Sequence, residues 1–286
     1  MGLKIGIAYD VVRDEERQIV EAIRKRGHEL VPFYVPSMVV KVNDSSQEKL
    51  DRLDFAFERC VSFYRALSSA ALLEGKGIEV VNGYEVIRDC GDKLVTTIRL
   101  SSRGVPVPKT FVAFSRQKVI EAARELGYPV VVKPIFGSWG RMMARALSED
   151  DLLDIVDFRE SMPSPYFRVH YLQEFVNKPG RDIRSFYVWG EVPVAIYRYS
   201  TRWKTNTALG GKAEPAELSE ELLDLTIKAA EAIGGGILGV DLLESSDGRV
   251  YVSEVNAVIE FRNTVRVSGI DLAGIMVDKT IEQIRR

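Results

Sequence analysis

The chain has 286 residues, 46% of them hydrophobic and 28% charged, and 39 Lys and Arg residues stand against 41 Asp and Glu residues. This composition excludes an intrinsically disordered chain, and the length suits two or three lobes with apolar cores. The near-neutral charge gives no indication of nucleic-acid binding, and no apolar run approaches the length of a membrane span. The two cysteines, Cys60 and Cys90, lie in apolar segments, which predicts buried, reduced thiols. We therefore expect a cytoplasmic protein that binds neither nucleic acids nor membranes.

Strands and helices alternate in the N-terminal part of the chain. The apolar pattern predicts strands at Leu3–Tyr9, Glu29–Val35, Asp54–Val61 and Ile78–Val81, and helices at Glu15–Gly27 and Tyr64–Gly75. Such alternation predicts a small parallel sheet, and we assign residues 1–92 to an N-terminal α/β domain. A further helix, Gly91–Arg103, leads into segment 104–108, whose prolines indicate a lobe boundary.

The rest of the chain predicts two more lobes, at residues 93–168 and 169–286. The central lobe has a strand at Thr110–Phe114, a helix at Gln117–Gly127, a strand at Pro129–Lys133 and then a glycine-containing loop. The C-terminal lobe has strands at Tyr171–Val176, Ile183–Trp189, Val192–Tyr199, Gly239–Leu243 and Arg249–Val255, and helices at Glu220–Ile233 and Leu272–Ile284. We therefore predict an α/β (α+β) fold.

One glycine motif in the C-terminal lobe has the wrong context for dinucleotide binding. Residues 234–239 satisfy the pattern G-x-G-x-x-G, but they follow a helix and open a strand, the reverse of the dinucleotide-binding order. We interpret them as a helix end and a turn. The sequence also has no Gly-Lys-Ser/Thr motif of a P-loop.

A predicted hairpin near the C-terminus gathers oxygen ligands. If Asp247 and Gly248 form a two-residue turn, Asp241 lies directly opposite Glu254, and Asn256 lies two residues along on the same face. Two carboxylates and an amide oxygen suit Mg²⁺ held together with nucleotide phosphates. The alternative is a solvated hairpin with ordinary surface acids, but Asp241 lies within an apolar strand, which favours the metal site.

Four basic residues are candidates for phosphate contacts. Lys133 ends an apolar strand just before the glycine-containing loop, and Lys93 lies at a predicted helix start, where a phosphate is also stabilised. Arg184 and Arg198 lie on neighbouring predicted strands. Each of these residues alone is more often a surface charge, but together with a three-oxygen metal site they favour nucleotide binding.

The ordered set of motifs resembles the ATP-grasp superfamily, and within it the RimK-like ligases. The resemblance covers most of the chain and rests on Gly91-Asp92-Lys93, Val132-Lys133-Pro134, the loop at 137–141, Gln173 to Val176, Gly180 to Arg184, Trp203 to Ala208, and Asp241 with Glu254-Val255-Asn256. It implies three lobes with ATP between the central and C-terminal ones. It also implies Mg²⁺ as the metal and a carboxylate–amine ligase activity that proceeds through an acyl phosphate.

The resemblance assigns a role to each matching position. The implied nucleotide-binding residues are Lys93, Lys133, Gly137, Ser138, Trp139, Gly140, Arg141, Met142, Gln173, Glu174, Phe175, Val176, Asp182, Arg184, Arg198 and Asn206. Among them, the resemblance implies Gly137 to Met142 as the phosphate loop, Glu174 to Val176 as the adenine hinge and Asp182 near the ribose. Arg198 and Asn206 are the implied catalytic residues, Asp241, Glu254 and Asn256 the metal ligands, and Thr207, Ala208, Asn256, Asn263 and Thr264 the substrate-binding residues.

Within the RimK-like ligases the sequence resembles the LysX branch. That branch joins the α-amine of 2-aminoadipate, or of glutamate in a sister branch, to the C-terminal glutamate of a small acidic carrier protein, LysW. The pair Asn263-Thr264 is similar to the aminoadipate type, whereas Leu209 replaces an arginine common in relatives. The resemblance also implies a homodimer or homotetramer. The alternatives are a glutamate-specific carrier ligase, a RimK-type ligase that adds glutamate to a protein or cofactor, and a nucleotide-binding regulator without catalysis.

Overall fold

The structure is a computed structural model that describes residues 2–43, 53–137, 140–205 and 212–285, and these residues form three sheets. The first sheet has the order β2-β1-β3-β4 and is parallel throughout, as predicted; its strands are β1 (Lys4–Tyr9), β2 (Glu29–Tyr34), β3 (Phe55–Glu58) and β4 (Val80–Val81). The helices α1 (Asp14–Lys25), α2 (Phe63–Glu74) and α3 (Tyr84–Gly91) accompany it. Because the inner residues of β1 are buried without alternation, this sheet is covered on both faces.

The second sheet belongs to the central lobe and has the order β5-β8-β6-β7 with antiparallel pairing. Its elements are α4 (Lys93–Ser102), β5 (Thr110–Ala113), α5 (Arg116–Leu126), β6 (Val130–Lys133), β7 (Ala144–Ala146), α6 (Glu149–Glu160) and β8 (His170–Glu174). The sheet therefore continues past the predicted lobe limit at 168, and the exact limits of the lobes stay predictions.

The predicted helix from Gly91 to Arg103 is two helices in the structure. α3 ends at Gly91, and Asp92 begins α4 because its Oδ1 accepts hydrogen bonds from the backbone N–H groups of Leu94 (2.9 Å) and Val95 (3.1 Å). This N-cap places Lys93 in the first turn of α4.

The third sheet belongs to the C-terminal lobe and has the order β11-β10-β9-β12-β13, with antiparallel neighbours. Its elements are β9 (Arg181–Val188), β10 (Glu191–Tyr199), β11 (Lys212–Pro215), α7 (Glu220–Ile233), β12 (Ile237–Glu244), β13 (Val250–Asn256), α8 (Arg262–Ser268) and α9 (Leu272–Ile284). As predicted, the glycines at 234–236 join the end of α7 to β12, and all three have positive φ.

The N-terminal and C-terminal lobes share an apolar core, whereas the central lobe has its own. One buried cluster joins Ile5 and Phe57 of the first sheet to Phe186 and Val277 of the C-terminal lobe. A separate cluster lies between the central sheet and helices α5 and α6. The N-terminal and C-terminal lobes therefore form one continuous body against which the central lobe packs. In the described ranges, no helix is long and apolar enough to cross a membrane.

Candidate active site

A cavity of about 880 Å³ lies where the three lobes meet. The sequence-predicted residues that line it are Gly137, Arg141, Arg184, Arg198, Asp241, Glu254, Asn256, Asn263 and Thr264. The N-terminal lobe contributes Arg13, Glu15, Phe63 and Tyr64. The structure thus brings the predicted metal ligands, two arginines and the predicted substrate pair to one space.

The hairpin β12–β13 places the predicted metal ligands as expected, but not through the predicted turn. Asp241 pairs directly with Glu254, which confirms the predicted register. The backbone N–H of Ser245 bonds to the carbonyl of Arg249 (2.8 Å), so the loop has three residues instead of two. The longer loop shifts the pairing of the two strands by one residue. A bulge at Ser253, which has no partner on β12, cancels this shift, so Leu242 pairs with Val252 and Asp241 with Glu254.

Asp241 is an acid of the cavity that is paired with two arginines. Arg184 donates to both of its carboxylate oxygens (Nη2 to Oδ2, 2.8 Å), and Nη2 of Arg198 lies 3.1 Å from Oδ1. Burial disfavours the ionised carboxylate, yet the charges of these two guanidinium groups hold the pKa of Asp241 below its ordinary value. Asp241 is therefore an anion at neutral pH.

Arg198 also binds Asp182, the residue predicted to lie near the ribose. Nε of Arg198 donates to Oδ1 of Asp182 (2.7 Å), and Oδ2 accepts from the hydroxyl of Thr205. Burial opposes the charge of Arg198, but the two carboxylates raise its pKa above the ordinary value. Its guanidinium group stays charged and links the predicted ribose end to the predicted metal end.

The two predicted phosphate-binding lysines approach the hairpin from the central lobe. Nζ of Lys93 lies 2.8 Å from Oε1 of Glu254 and donates to the carbonyl of Gly137 (2.6 Å). Nζ of Lys133 donates to Oε1 of Gln173 (2.5 Å) and contacts Oγ of Ser253 at 3.4 Å. Burial lowers the pKa of Lys133 to about 8, against the attraction of Glu254.

The residues present fit a magnesium ion. Asp241 and Glu254 offer hard carboxylate oxygens, and the buried Nδ2 of Asn256 has no hydrogen-bond partner within the described ranges. No hydrogen bond from Nδ2 to a described residue therefore holds the amide, and its oxygen is a suitable ligand for a hard cation. Among the described residues, no group of three or more His, Cys, Asp or Glu could hold a metal ion.

The described part of the predicted phosphate loop is held from both sides. From the C-terminal lobe, Nζ of Lys204 donates to the carbonyls of Gly140 (3.1 Å) and Met143 (2.7 Å). From α6, the buried Arg159 contacts the carbonyls of Met142 (3.4 Å) and Lys133 (3.2 Å). Of the predicted loop residues, Ser138 and Trp139 lie outside the described residues.

The predicted adenine hinge lies away from the cavity wall. Oε1 of Glu174 accepts from the backbone N–H of Lys109 (2.7 Å), Val176 is buried, and Phe175 lies 6.5 Å from the ring of Trp203. The guanidinium group of Arg145 lies 5.0 Å from the ring centre of Phe175. The roles of Gln173, Glu174, Phe175 and Val176 in adenine binding stay predictions.

Some predicted substrate residues are placed by the structure and some are not. Asn263 and Thr264 lie in the first turn of α8 and line the cavity, with Thr264 buried. The predictions for Asn206, Thr207, Ala208 and the substitution at Leu209 fall outside the described residues.

The N-terminal lobe also contributes to the cavity, which the sequence patterns did not predict. Arg13 and Glu15 lie at the start of α1, just after the carboxyl end of β1, and both line the cavity. Tyr64 at the start of α2 reaches Tyr166 of the central lobe, with 2.7 Å between the hydroxyl oxygens. The signal was available, because sites in parallel sheets gather at the carboxyl ends of strands.

Comparisons with known proteins show the family of the chain. A family model described as a RimK-like ATP-grasp domain matches residues 90–280, and one described as a LysX preATP-grasp domain matches residues 5–88. The alpha-aminoadipate–LysW ligase LysX of Sulfurisphaera tokodaii is 42% identical over 283 residues, which cover 99% of each chain. The glutamate–LysW ligase ArgX of the same organism is 32% identical over 279 residues, which cover 96% of this chain and 97% of the relative.

Solved structures show the same fold. A RimK domain ATP-grasp protein from Sphaerobacter thermophilus, 25% identical, superposes with a TM-score of 0.76 over 97% of this chain and 99% of its own. D-alanine–D-alanine ligase from Bacillus anthracis, 19% identical and solved with ATP, has a TM-score of 0.71 over 100% of this chain and 98% of its own. The predicted three-lobed ATP-grasp fold is confirmed, and the chain belongs to the RimK-like ATP-grasp family of ligases.

Proposed function

We propose that the chain uses ATP and Mg²⁺ to join the α-amine of 2-aminoadipate to the C-terminal glutamate side chain of a small acidic carrier protein similar to LysW. The observation that carries the proposal is the convergence of Asp241, Glu254 and Asn256 with Arg184 and Arg198 in one cavity. The two relatives named as LysW ligases support the carrier and the amino-acid substrate.

In the proposed reaction, a carboxylate oxygen of the carrier attacks the γ-phosphorus of ATP, and ADP leaves. The uncharged amine then attacks the acyl carbon of the acyl phosphate, the bond from that carbon to the phosphate oxygen breaks, and phosphate and one amine proton leave to give the amide. Asp241, Glu254 and Asn256 would hold Mg²⁺, which when bound neutralises phosphate charge. Lys93 and Lys133 are placed to bind the phosphates.

Arg184 and Arg198 provide positive charge that is already in place. In the structure both are paired with Asp241, and Arg198 also with Asp182, so their guanidinium groups already lie in the cavity when the anionic reactants and Mg²⁺ arrive. We propose that they bind the transferred phosphoryl group and the substrate carboxylates. Lys204, which holds the loop at Gly140, would help to exclude the water that hydrolyses an acyl phosphate.

Two observations favour 2-aminoadipate over glutamate. The cavity is lined by Asn263 and Thr264, the pair that resembles the aminoadipate type, and identity to the LysX relative (42%) exceeds identity to the ArgX relative (32%). One methylene is worth about 1–3 kcal/mol of discrimination, so we expect slower use of glutamate by the same site. A cytoplasmic location and a homodimeric or homotetrameric state stay predictions.

The test is ADP release with purified carrier, 2-aminoadipate and ATP. We expect wild-type turnover to require all three, and Asp241→Asn to lower kcat by about 10³-fold, which corresponds to the several kcal/mol expected from a lost metal ligand. The matched control is Asp247→Asn, at an exposed acid in the loop of the same hairpin that pairs with Arg249. Near-normal turnover of Asp241→Asn would refute the metal assignment, and wild-type turnover without the carrier would favour a different acceptor.

A further inference from the structure

The wall of the cavity that follows the predicted metal ligands is one continuous segment, residues 257–264. It begins just after Asn256 at the end of β13 and ends in the first turn of α8. Ala257, Glu260 and Thr264 are among its cavity-lining residues. Between them, Ile259 and Phe261 are fully buried in the core shared with the N-terminal lobe. The segment therefore has one side in the cavity and the other in a packed core.

The N-terminal lobe holds the first part of this wall by its backbone. Nδ2 of Asn82 donates to the carbonyl of Ala257 (2.7 Å), and Nη2 of Arg59 donates to the carbonyl of Ile259 (2.8 Å). Asn82 and Arg59 are both buried, at 4% and 2% exposure. Because backbone contacts do not depend on the side chains of the wall, they fix its path directly.

Glu15 of α1 holds the second part of the wall. Its Oε1 accepts from the backbone N–H groups of Phe261 (3.1 Å) and Arg262 (2.9 Å), immediately before the predicted substrate pair. Glu15 is 5% exposed, so water does not compete freely for these bonds. The carboxylate thus determines where the first turn of α8 begins, and with it the positions of Asn263 and Thr264.

We propose that Glu15 is a positioning residue for substrate selection: it fixes the cavity wall at the start of α8 and so sets the side-chain length of the amino acid that the site accepts. This inference rests on the proposed function. It places part of the selectivity in the N-terminal lobe, on a helix remote in sequence from the predicted substrate pair. Replacing Asn263 and Thr264 alone therefore leaves the position of the wall unchanged.

The test compares two neutral side chains of similar size that differ in their ability to accept a hydrogen bond. Glu15→Met removes both bonds to the wall, whereas Glu15→Gln retains a carbonyl oxygen. The readout is the ratio of kcat/KM for 2-aminoadipate to kcat/KM for glutamate, measured with purified carrier. A loss of folded protein lowers both values equally and leaves the ratio unchanged, so the ratio separates positioning from stability.

We expect Glu15→Met to lower the ratio at least fivefold, out of the roughly 10–200-fold that one methylene can provide, and Glu15→Gln to stay within about twofold of wild type. The control is Arg26→Met, which breaks the contact of Arg26 with Asp278 (2.6 Å) between α1 and α9, away from the wall. Its ratio should equal that of wild type.

The outcomes separate this inference from the proposed function. Absence of product from wild type with either amino acid overturns both. Product from wild type together with an unchanged ratio in folded Glu15→Met overturns the positioning role alone, as does an equal loss in Glu15→Gln, which would point to the charge of Glu15 instead. If Glu15→Met does not fold by circular dichroism, Glu15→Ala is measured in its place, with the same expected direction.

Discussion

Asn82 offers a quantitative test of how the N-terminal and C-terminal lobes are joined. Its side chain donates to the carbonyls of Ile237 (2.6 Å) and Ala257 (2.7 Å) and accepts from the backbone N–H of Ile237 (2.8 Å). These three bonds connect the end of the first sheet to the start of β12 and to the cavity wall. Asn82 is 4% exposed, so all three lie in the interior.

Asn82→Ala would leave two carbonyl groups and one N–H group without this partner. A buried polar group that loses its partner costs about 1–3 kcal/mol, and partial entry of water favours the low end of that range. Three such groups at about 1 kcal/mol each give a loss of about 3 kcal/mol in the free energy of unfolding. That is a large fraction of the ~5–15 kcal/mol by which a folded protein is usually stable.

The assay is urea unfolding followed by circular dichroism, with Asn177→Ala as the control. Asn177 is exposed, and its side chain makes a 3.3 Å contact with Ser246, so its loss should cost less than about 0.5 kcal/mol. If Asn82→Ala loses less than about 1 kcal/mol, the three bonds do not hold the two lobes together as described.

Three further predictions concern other parts of the molecule. Burial raises the pKa of Glu58 from 4.5 to about 7. The stability that protonated Glu58 contributes to the folded protein is therefore fully present below pH 4.5 and is lost as pH rises through 7. In urea titrations over that range, the free energy of unfolding of Glu58→Gln should depend less on pH than that of wild type. Lys204→Met should raise KM for ATP severalfold in the ADP-release assay, because Nζ no longer holds the loop at Gly140, and an unchanged KM would contradict this contact. Burial raises the pKa of both Cys60 and Cys90, so a thiol reagent at neutral pH should label them slowly in the native protein and fast in urea.

Local sequence pattern was sufficient for the elements that carry the predicted metal site. The apolar runs on both sides of Asp247 predicted two antiparallel strands, and the predicted turn between them put Asp241 opposite Glu254, the pairing that the structure has. The turn prediction was nevertheless wrong by one residue. The bulge at Ser253 restores the pairing, because the buried faces of both strands have to be preserved.

Features that depend on distant residues were not predictable in this way. Glu15 is 247 positions from Arg262, and the only local sign of its role is its place after a parallel strand. Two features that depend on local residues were also missed. The break between α3 and α4 depends on the side chain of Asp92, which caps α4. α6 was missed because its acidic residues weaken the apolar pattern, although Ser148 gives it an N-cap.

The central claim is that this site makes an amide between the carrier and 2-aminoadipate, and intact-mass analysis of the carrier tests it most directly. After incubation of wild-type enzyme with ATP, Mg²⁺ and 2-aminoadipate, the carrier should gain the mass of one amino acid less one water. A carrier that lacks its terminal glutamate, and a reaction with Asp241→Asn enzyme, should show no gain. An unmodified carrier in the complete wild-type reaction, with either 2-aminoadipate or glutamate, would contradict the account.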